Sequence, residues 1–419
     1  MYDYGQCTSR WIICVDLKSF FASVSCLSKG LNPMKTKLAV VADTKRQGSV
    51  VLAATPPLKA LGIKTGSRLY EIPMRNDIFI INPSMMRYIQ VSNRISSIAL
   101  QYVAPEDFHQ YSIDEFFMDM TASLHLFADS IYEFSSQLQK EIMSATGIIN
   151  TIGIGPNPLL AKLSMDFEAK KRQQGIAEWH YYDVPEKLWD VSPLSKMWGI
   201  NRRTEAKLNK KGIFTIGDLA HYPVPYLKRD FGIIGVDLHL HANGTDESLI
   251  SEKYSIKDKS LGKSQILMRD YQKNELKVIL SEQIDEVFFR VREQDKYPKT
   301  VSVTVGYADA GGIRKQFTHP SGYMSTLQII QEMWNYLYDR LEDDRLYRTI
   351  GISFTKLVSN QIKQLNLFED PKEIKSEIID HHLDDIRRKY GKDTVLRASS
   401  LTASGSVLQR KNLVAGHKG

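Results

Sequence analysis

The sequence predicts a multidomain fold of mixed α/β and α+β class. Its 419 residues exceed what one hydrophobic core usually supports, so we expect several compact units. In the first part of the chain, short apolar runs that lead into acidic residues predict the strands of a sheet. The last predicted unit has the element order β-α-β-β-α-β, which is the ferredoxin-like pattern.

Composition indicates a globular protein of the cytoplasm. Lys and Arg number 55 against 48 Asp and Glu, and the net charge of +7 is compatible with a polyanionic partner. The cysteines are too few and too crowded for a disulfide framework or a four-ligand zinc site: Cys7, Cys14 and Cys26. The polar N-terminus lacks a signal-peptide pattern and no apolar run approaches a membrane span, so we expect no membrane partner.

Apolar runs predict the strands of the first unit, at residues 11–15, 37–42, 49–54 and 151–155. The first run leads directly into Asp16. A hairpin is predicted over residues 111–118, where hydrophobic residues flank the acidic pair Asp114 and Glu115. Because neighbouring strands lie ~5 Å apart, acids at strand ends can converge on one spot.

Asp16, Asp114 and Glu115 form a candidate metal site. Clustered carboxylates repel one another and raise one another's pKa values unless cations lie between them. Oxygen ligands without His or Cys nearby select Mg²⁺ or Mn²⁺, and two such ions would support an in-line phosphoryl displacement. Surface turn residues are the alternative interpretation, although the apolar strand beside each acid is a poor place for an unpaired charge.

Helical and basic segments follow the sheet. Residues 159–171 have helical composition, with Lys162, Asp166 and Lys170 on one face. Residues 196–230 contain eight Lys or Arg and three Asp or Glu, which gives a local charge of +5. A polar linker is predicted over residues 243–260.

The β-α-β-β-α-β unit is predicted over residues 261–357. Its strands are expected at residues 262–268, 300–307, 313–319 and 347–357, and its helices at residues 275–293 and 325–341. The remaining residues, 358–419, are polar apart from an apolar island at Leu365, Leu367 and Phe368. We therefore expect most of this tail to be loosely ordered.

Two motifs resemble the signatures of the Y-family DNA polymerases. They are Val15-Asp16-Leu17-Lys18-Ser19-Phe20-Phe21-Ala22-Ser23-Val24 and Tyr111-Ser112-Ile113-Asp114-Glu115. From about residue 10 onward the chain is similar to the UmuC-like (ImpB/MucB/SamB) branch of Gram-positive bacteria, their phages and plasmids. The resemblance implies a right-hand polymerase, with a palm split over residues 1–30 and 75–175, fingers over 31–74, a helical thumb over 176–242 and a little finger over 261–357.

The resemblance also implies roles for the residues around the first motif. Asp16, Asp114 and Glu115 would bind two Mg²⁺ ions, or Mn²⁺, with a further ligand from the Leu17 carbonyl. The amides near Ser19 and Phe20 would hold the nucleotide triphosphate. Phe21 matches the steric gate, whose ring occupies the space that a ribose 2′-hydroxyl would need.

Two lysines match positions that contact the incoming nucleotide. They are Lys59 in the fingers and Lys170 on the helix after residues 151–155, with Lys171 as the alternative to Lys170 because the alignment is ambiguous by one residue.

Several residues depart from the family pattern. Lys18 stands where many members carry a second Asp, and Ser25 stands where many carry a Glu. In the fingers, Ala53, Pro56 and Lys59 replace the Thr, Tyr and Arg that commonly touch the triphosphate. The metal site survives these changes, but nucleotide affinity and fidelity are less predictable.

The basic segment resembles a helix-hairpin-helix whose turn amides cup a DNA phosphate. Asn201 stands where a second glycine is usual, and asparagine is the next best residue for a left-handed backbone. The candidate DNA-binding residues are Gly199, Asn201, Arg202, Arg203, Lys210 and Lys211.

A pentapeptide in the tail resembles the motif by which bacterial polymerases bind the sliding clamp. Apolar anchors in a polar tail can enter a groove on a partner. The same apolar island could instead cap the preceding domain. The candidate clamp-binding residues are Gln364, Leu365, Leu367 and Phe368.

Together these features predict a monomeric, template-directed DNA polymerase for error-prone translesion synthesis. Its partners would be primer-template DNA, deoxynucleoside triphosphates and the sliding clamp (beta subunit). No separate exonuclease constellation is evident, so we expect no proofreading. The alternative is a catalytically weak DNA-binding accessory or regulator of replication and the DNA-damage response; a helix-hairpin-helix nuclease would need a water-activating motif that the sequence lacks.

Overall fold

The computed structural model describes residues 3–252, 259–359, 371–411, 413–414 and 416–418. Two compact units divide the chain: residues 1–253 with 417–419, and residues 254–416. The predicted clamp-binding residues Gln364, Leu365, Leu367 and Phe368 lie outside the described residues. Within the described part of the chain, no helix has the length and apolar character needed to cross a membrane.

Strands and helices alternate through the first part of the first unit. Its strands are β1 (Ile12–Leu17), β2 (Lys37–Val41), β3 (Val51–Ala54), β4 (Ile78–Ile81), β5 (Phe108–Gln110), β6 (Glu115–Asp119), β7 (Asn150–Gly155) and β8 (Ile176–Glu178). Its α-helices are α1 (Phe20–Leu27), α2 (Pro56–Lys59), α3 (Met85–Ala99), α4 (Ile131–Thr146), α5 (Pro158–Phe167), α6 (Val184–Lys187), α7 (Arg202–Asn209), α8 (Ile216–His221), α9 (Val224–Phe231) and α10 (Ile233–Ala242).

The central sheet of the first unit has the strand order β5-β6-β1-β7-β8. Its middle strand β1 pairs antiparallel with both β6 and β7. Four successive residues of β1 are completely buried: Ile12, Ile13, Cys14 and Val15. A strand that is buried on both faces has consecutive apolar residues instead of alternating apolar and polar ones. This explains the unbroken apolar run at residues 11–15.

A second, three-stranded sheet has the order β3-β2-β4. β2 pairs antiparallel with β3 and parallel with β4. Strand β4 lies beyond residue 74, where the fingers were predicted to end, so the sheet extends past that boundary. Helices α6 to α10 follow β8, and their apolar core is shared with α5; it includes Leu208, Leu219, Leu227 and Leu238. The basic segment of the sequence is therefore a helical subdomain.

The second unit has the predicted β-α-β-β-α-β order. Its elements are β9 (Leu261–Tyr271), α11 (Lys273–Arg292), β10 (Lys296–Tyr307), β11 (Gly312–Thr318), α12 (Thr326–Tyr338), β12 (Tyr347–Ser359), α13 (Pro371–Tyr390), α14 (Val407–Arg410) and β13 (Leu413–Val414). A last short strand, β14 (His417–Lys418), belongs to the residues of the first unit. The second unit contains an antiparallel sheet of order β11-β10-β12-β9, and α11 and α12 contribute to its apolar core.

The prediction of a loosely ordered tail is wrong for residues 371–411. Residues 371–390 form the 20-residue helix α13, and its contacts with the rest of the second unit include Asp384 bound to Arg292 of α11. Arg397, further along, binds Asp285 of α11. The expectation failed because it relied on an apolar face to identify a packed helix, whereas the packed face of α13 is charged.

Candidate active site

Two strands and the turn before one of them bring the predicted acids to one end of the central sheet. Asp16 lies opposite Glu115 in the β1–β6 register. Asp114 immediately precedes β6, and its carbonyl oxygen accepts a hydrogen bond of 2.9 Å from the amide of Leu17. The three predicted ligand carboxylates therefore start from adjacent backbone positions.

Two glycines of β7 allow α5 to approach this sheet closely. A Cβ atom on Gly153 would lie 2.1 Å from the Ala161 carbonyl oxygen, and one on Gly155 would lie 2.5 Å from the Ala161 amide nitrogen. No other residue fits at such backbone-to-backbone contacts. The absence of these side chains allows the close packing that places Lys162, the next residue of α5, beside the acids.

Lys162 is a buried cation that sequence reasoning placed on a helix face without identifying its partner. Its Nζ lies 2.7 Å from Oε1 of Glu115 and 3.3 Å from Oδ2 of Asp166, and the residue is only 7% exposed. The Cys14 thiol donates to the same Glu115 oxygen at 3.4 Å. Both donors use Oε1, so among the described residues Oε2 of Glu115 keeps its lone pairs for another ligand.

Asp16 and Asp114 also have partners from the chain itself. Lys170 lies 3.3 Å from Oδ2 of Asp16 and 2.7 Å from Oδ1 of Asp166. The Ser112 hydroxyl donates to Oδ1 of Asp114 at 2.7 Å. Lys170 does not lie on α5 as predicted: the helix ends at Phe167, and a separate 3₁₀ turn over residues 169–171 carries this lysine.

The electrostatics of two acids favour cation binding. Burial raises the pKa of Asp16; Lys170 opposes this shift and the charge of Asp114 adds to it. Burial also raises the pKa of Glu115, with Lys162 opposing and Asp16 adding. A divalent cation between the carboxylates would remove this mutual repulsion, so the donor set fits such an ion.

The side chains are nevertheless not grouped as a finished metal site. Within the described ranges, no three His, Cys, Asp or Glu side chains come together closely enough to hold a metal ion. The physical reason is that Lys162 and Lys170 neutralise Glu115 and Asp16 individually. Cation binding would require these carboxylates to turn toward one another.

Lys59 of α2 is influenced by Asp16 and by two other lysines. Burial lowers the pKa of Lys59, Asp16 raises it, and repulsion from Lys18 and Lys170 lowers it further. Lys18 and Lys170 therefore both lie within electrostatic reach of Lys59. Lys18 thus adds to a local positive potential suited to a polyphosphate.

The turn between β1 and α1 has an unusual backbone. Ser19 adopts a left-handed conformation with φ of 50°, which is rare for a residue other than glycine. The Ser19 hydroxyl accepts a hydrogen bond of 2.9 Å from Nζ of Lys59. Backbone strain of this kind often occurs at ligand sites. Here the strained turn holds Lys59 of α2 beside the first motif.

The two phenylalanines of the first motif have different environments. Phe20 is buried, so only its backbone is available to a nucleotide. Phe21 is half-buried and stacks on Tyr88 of α3, with ring centroids 4.4 Å apart and planes 15° apart. Tyr88 and Ser25 share a hydrogen bond of 2.7 Å, which holds the supporting ring in place. Ser25 thus supports the ring on which Phe21 stacks.

The helix-hairpin-helix differs from expectation at Asn201. Asn201 is extended, with φ of −89°, whereas Gly199 has a positive φ of 89°. The Asn201 side-chain oxygen accepts hydrogen bonds of 2.9 Å from the amides of Arg203 and Thr204. Asparagine is a strong N-cap, and here it caps α7 instead of adopting the left-handed backbone.

The basic residues of this hairpin are largely solvent-facing. Arg202, Arg203 and Lys210 are exposed, whereas Lys211 forms an ion pair with Asp230 of α9.

An aromatic contact that the sequence did not reveal connects the hairpin to the acidic motif. The Trp198 indole nitrogen donates to the Tyr111 hydroxyl at 3.0 Å, and the two rings pack edge to face. Tyr111 lies three residues before Asp114. The hairpin is therefore fixed beside the turn that carries the acids.

The chain matches one protein family over most of its length. Residues 15–166 match the impB/mucB/samB family, residues 181–213 match the HHH motif of the IMS family, and residues 258–367 match the impB/mucB/samB C-terminal domain.

Relatives cover the whole chain. It is 43% identical to the protein UvrX of Bacillus subtilis (strain 168), over 100% of both chains. It is 35% identical to DNA polymerase IV 2 of the same organism, over 97% of this chain and 98% of that protein. It is 33% identical to DNA polymerase IV of Pelotomaculum thermopropionicum, over 95% and 97%.

Solved structures agree on the fold. A Y-family DNA polymerase chimera of Dbh and Dpo4 is similar with a TM-score of 0.66 at 20% identity, over 84% of this chain and 100% of that chain. An insertion ternary complex of Dbh DNA polymerase has a TM-score of 0.51 at 19% identity, over the same shares. The fold is that of the Y-family DNA polymerases, as predicted. The chain belongs to the impB/mucB/samB family.

Proposed function

We propose that this chain copies DNA past damaged template bases by template-directed nucleotidyl transfer, without proofreading. The observation that carries the proposal is the adjacent backbone placement of Asp16, Asp114 and Glu115 at one end of the sheet, with Lys170 3.3 Å from Asp16. Acids and lysines in one place match the two charged parts of a metal–nucleoside triphosphate complex. Family membership gives this arrangement its reaction.

The family implies a divalent metal cofactor, and we assign two Mg²⁺ ions, replaceable by Mn²⁺. Asp16, Asp114, Glu115 and the Leu17 carbonyl would hold them. When bound, such ions promote attack by a primer 3′-hydroxyl and stabilise the departing pyrophosphate. Lys162 and Cys14 hold one oxygen of Glu115 and leave the other available.

The remaining site residues would position the nucleotide and exclude ribonucleotides. Lys59 and Lys170 would contact the phosphates, together with the amides near Ser19 and Phe20. Phe21, supported by its stack on Tyr88, would act as the steric gate. A rigid ring discriminates better than a mobile one, because a 2′-hydroxyl could displace a ring that is free to rotate.

DNA would lie along basic surfaces of each unit. In the first unit, the Gly199 turn with Arg202, Arg203 and Lys210 would contact the phosphate backbone. In the second unit, Arg314 and Lys315 are exposed on the edge strand β11. We further propose that the chain works as a monomer in the cytoplasm and binds the sliding clamp through Gln364, Leu365, Leu367 and Phe368.

Primer extension by the purified chain tests the proposal. With Mg²⁺ and a template containing an abasic site, the unsubstituted chain should extend a primer past the lesion. Asp114→Ala should abolish extension while DNA affinity in a fluorescence anisotropy titration stays the same. Asp129→Ala, which removes an exposed carboxylate of the same unit, is the matched control and should extend normally.

Two outcomes would contradict this proposal in different ways. Normal extension by Asp114→Ala would show that the metal assignment is wrong. If the unsubstituted chain binds DNA but extends no primer, the chain is instead a DNA-binding accessory that keeps the polymerase fold.

A further inference from the structure

One carboxylate beside the acids belongs to neither of the two sequence motifs. Asp166 lies on the last turn of α5, and its two oxygens contact different lysines. Oδ2 lies 3.3 Å from Nζ of Lys162, and Oδ1 lies 2.7 Å from Nζ of Lys170. Lys162 also contacts Glu115 at 2.7 Å, and Lys170 also contacts Asp16 at 3.3 Å. Asp166 therefore shares both cations with the proposed metal ligands.

The spacing along the chain produces this arrangement. Lys162, Asp166 and Lys170 are four residues apart, and residues with this spacing lie on one face of a helix. Helix α5 ends at Phe167, but the 3₁₀ turn over residues 169–171 keeps Lys170 next to the last turn. The Lys162 side chain is almost completely buried, whereas that of Lys170 is 38% exposed. Lys170 is thus the lysine with room to move.

Lys170 and a divalent cation would compete for the same oxygen of Asp16. An ammonium group cannot share Oδ2 of Asp16 with a divalent cation, because like charges repel strongly at contact distance. Lys162 creates no such conflict, since it leaves Oε2 of Glu115 available. Lys170 must therefore leave Asp16 when the metal site fills, and Asp166 is an acceptor that it already contacts.

We propose that Asp166 is a positioning residue that keeps Lys170 when a divalent cation takes its place on Asp16. This inference rests on the metal site proposed above. Among the described residues, Asp16 would be the carboxylate that remains in contact with Lys170 if Asp166 lost its charge. The lysine would then compete with the cation more strongly. With Asp166 in place, the ammonium group stays beside the site, where it can contact an incoming phosphate.

Electron paramagnetic resonance of free Mn²⁺, with the full-length chain and neither DNA nor nucleotide, measures metal binding without catalysis. Asp166→Asn keeps the size of the side chain and removes its charge. Lys170 should then stay on Asp16, and the dissociation constant for Mn²⁺ should rise about fivefold. In the Lys170→Ala background, the same substitution should change the constant by less than about twofold, because no ammonium group is left to compete.

Nucleotide binding provides a second measurement. In steady-state incorporation at saturating Mg²⁺, Asp166→Asn should raise the KM for the incoming nucleotide about threefold with little change in kcat, because Lys170 is no longer held beside the phosphates. The matched control is Asp183→Asn. Its Oδ1 lies 3.0 Å from Nζ of Lys187, in another i, i+4 pair of the same unit, and its loss should change neither Mn²⁺ binding nor KM.

The results separate this inference from the metal site on which it rests. If Asp114→Ala binds Mn²⁺ as the unsubstituted chain does, the proposed metal site itself is wrong. If Asp114→Ala loses Mn²⁺ while Asp166→Asn binds it normally, the metal site stands and the role of Asp166 is wrong. Equal weakening by Asp166→Asn in both backgrounds would show that its charge acts directly on the metal, which would also overturn the proposal. Should Asp166→Asn reduce the helical circular dichroism signal, Asp166→Ser takes its place in the same comparison.

Discussion

The two units use pairs of opposite charges in different ways. At the acidic end of the first unit, the cations are lysines: Lys162 contacts Glu115 and Asp166, and Lys170 contacts Asp16 and Asp166. In the second unit, the cations that hold the C-terminal segment are arginines. They form the pairs Arg292–Asp384, Arg397–Asp285 and Arg410–Glu286.

The difference follows from the chemistry of the two cations. An ammonium group is a compact charge that can move between acceptors, whereas a guanidinium fixes two parallel hydrogen bonds in one plane. Lys170 is 38% exposed and shared between two acids, while Asp384 is completely buried and bound at both oxygens. The lysines can therefore exchange an acid for a substrate phosphate when a nucleotide binds. The arginine pairs can hold the C-terminal segment on α11 permanently.

Removing one member of an arginine pair should have the largest effect. Asp384→Ala leaves Arg292 buried without its carboxylate, and we expect the free energy of unfolding to fall by about 3–5 kcal/mol. Urea unfolding of the full chain, followed by circular dichroism, measures this loss. Asp385→Ala removes the adjacent, 66% exposed acid of a surface pair and should cost less than about 1 kcal/mol. Equal losses for the two variants would show that burial does not set the strength of the attachment.

Removing the buried lysine should affect the reaction more than the fold. In Lys162→Met, Glu115 loses the cation that holds Oε1, and misplacement of this carboxylate should slow single-turnover nucleotide incorporation about 100-fold. DNA affinity should be unchanged, because Lys162 is buried and cannot contact a DNA phosphate. Lys162→Arg keeps the charge but not the size and should be intermediate. Normal incorporation by Lys162→Met would mean that Glu115 needs no positioning.

Lys170 and Lys171 offer a smaller test, which also resolves the alignment ambiguity. Lys170 is the one that reaches Asp16, so Lys170→Ala should raise the KM for the incoming nucleotide about tenfold with less effect on kcat. Lys171→Ala should change KM less than twofold. Steady-state incorporation with varied nucleotide concentration distinguishes the two lysines, and the reverse order would reassign the phosphate contact to Lys171.

An exposed arginine pair should have the smallest effect. Hydrogen bonds from Arg269 lower the pKa of Glu275 to about 2, against about 4.3 in an unfolded chain. A lowered pKa stabilises the fold above pH 4.3, and this stabilisation is lost as the pH falls toward 2. Glu275→Gln should therefore cost about 1 kcal/mol at pH 7, reduced by solvent screening, and nothing near pH 2. Urea unfolding at pH 7, 4 and 2.5 measures the trend; a cost that does not depend on pH would exclude the ion pair as its source.

Much of the fold could be predicted from the sequence because its elements obey simple periodicities. The buried run of β1 and the alternating elements of the second unit produce apolar patterns that depend only on local geometry. The meeting of Asp16 with Glu115 followed from the same strand-end argument. Elements stabilised by hydrophobic burial therefore leave a readable pattern in the sequence.

Features that depend on contacts between charges were not predictable in this way. The i, i+4 spacing placed Lys162 on a helix face, but its pairing with Glu115 depends on how closely α5 packs on β7. Helix α13 escaped prediction because its buried face is acidic, and Asn201 because two roles of asparagine compete at that position. For Lys162 and α13, the tertiary fold brings the interacting charges together. For Asn201, the outcome depends on which of two local backbone conformations is more stable.

The glycine contact between β7 and α5 has a consequence for how the enzyme could change. Because Gly153 and Gly155 set the separation of backbones, the distance from α5 to the acids does not depend on the size of any neighbouring side chain. Substitutions at positions such as Lys18 or Ala53 can then alter which nucleotides and lesions are accepted without rebuilding the reaction centre. A laboratory selection for new template or nucleotide preferences should accordingly recover changes around Lys18 and Ala53 and almost none at the two glycines.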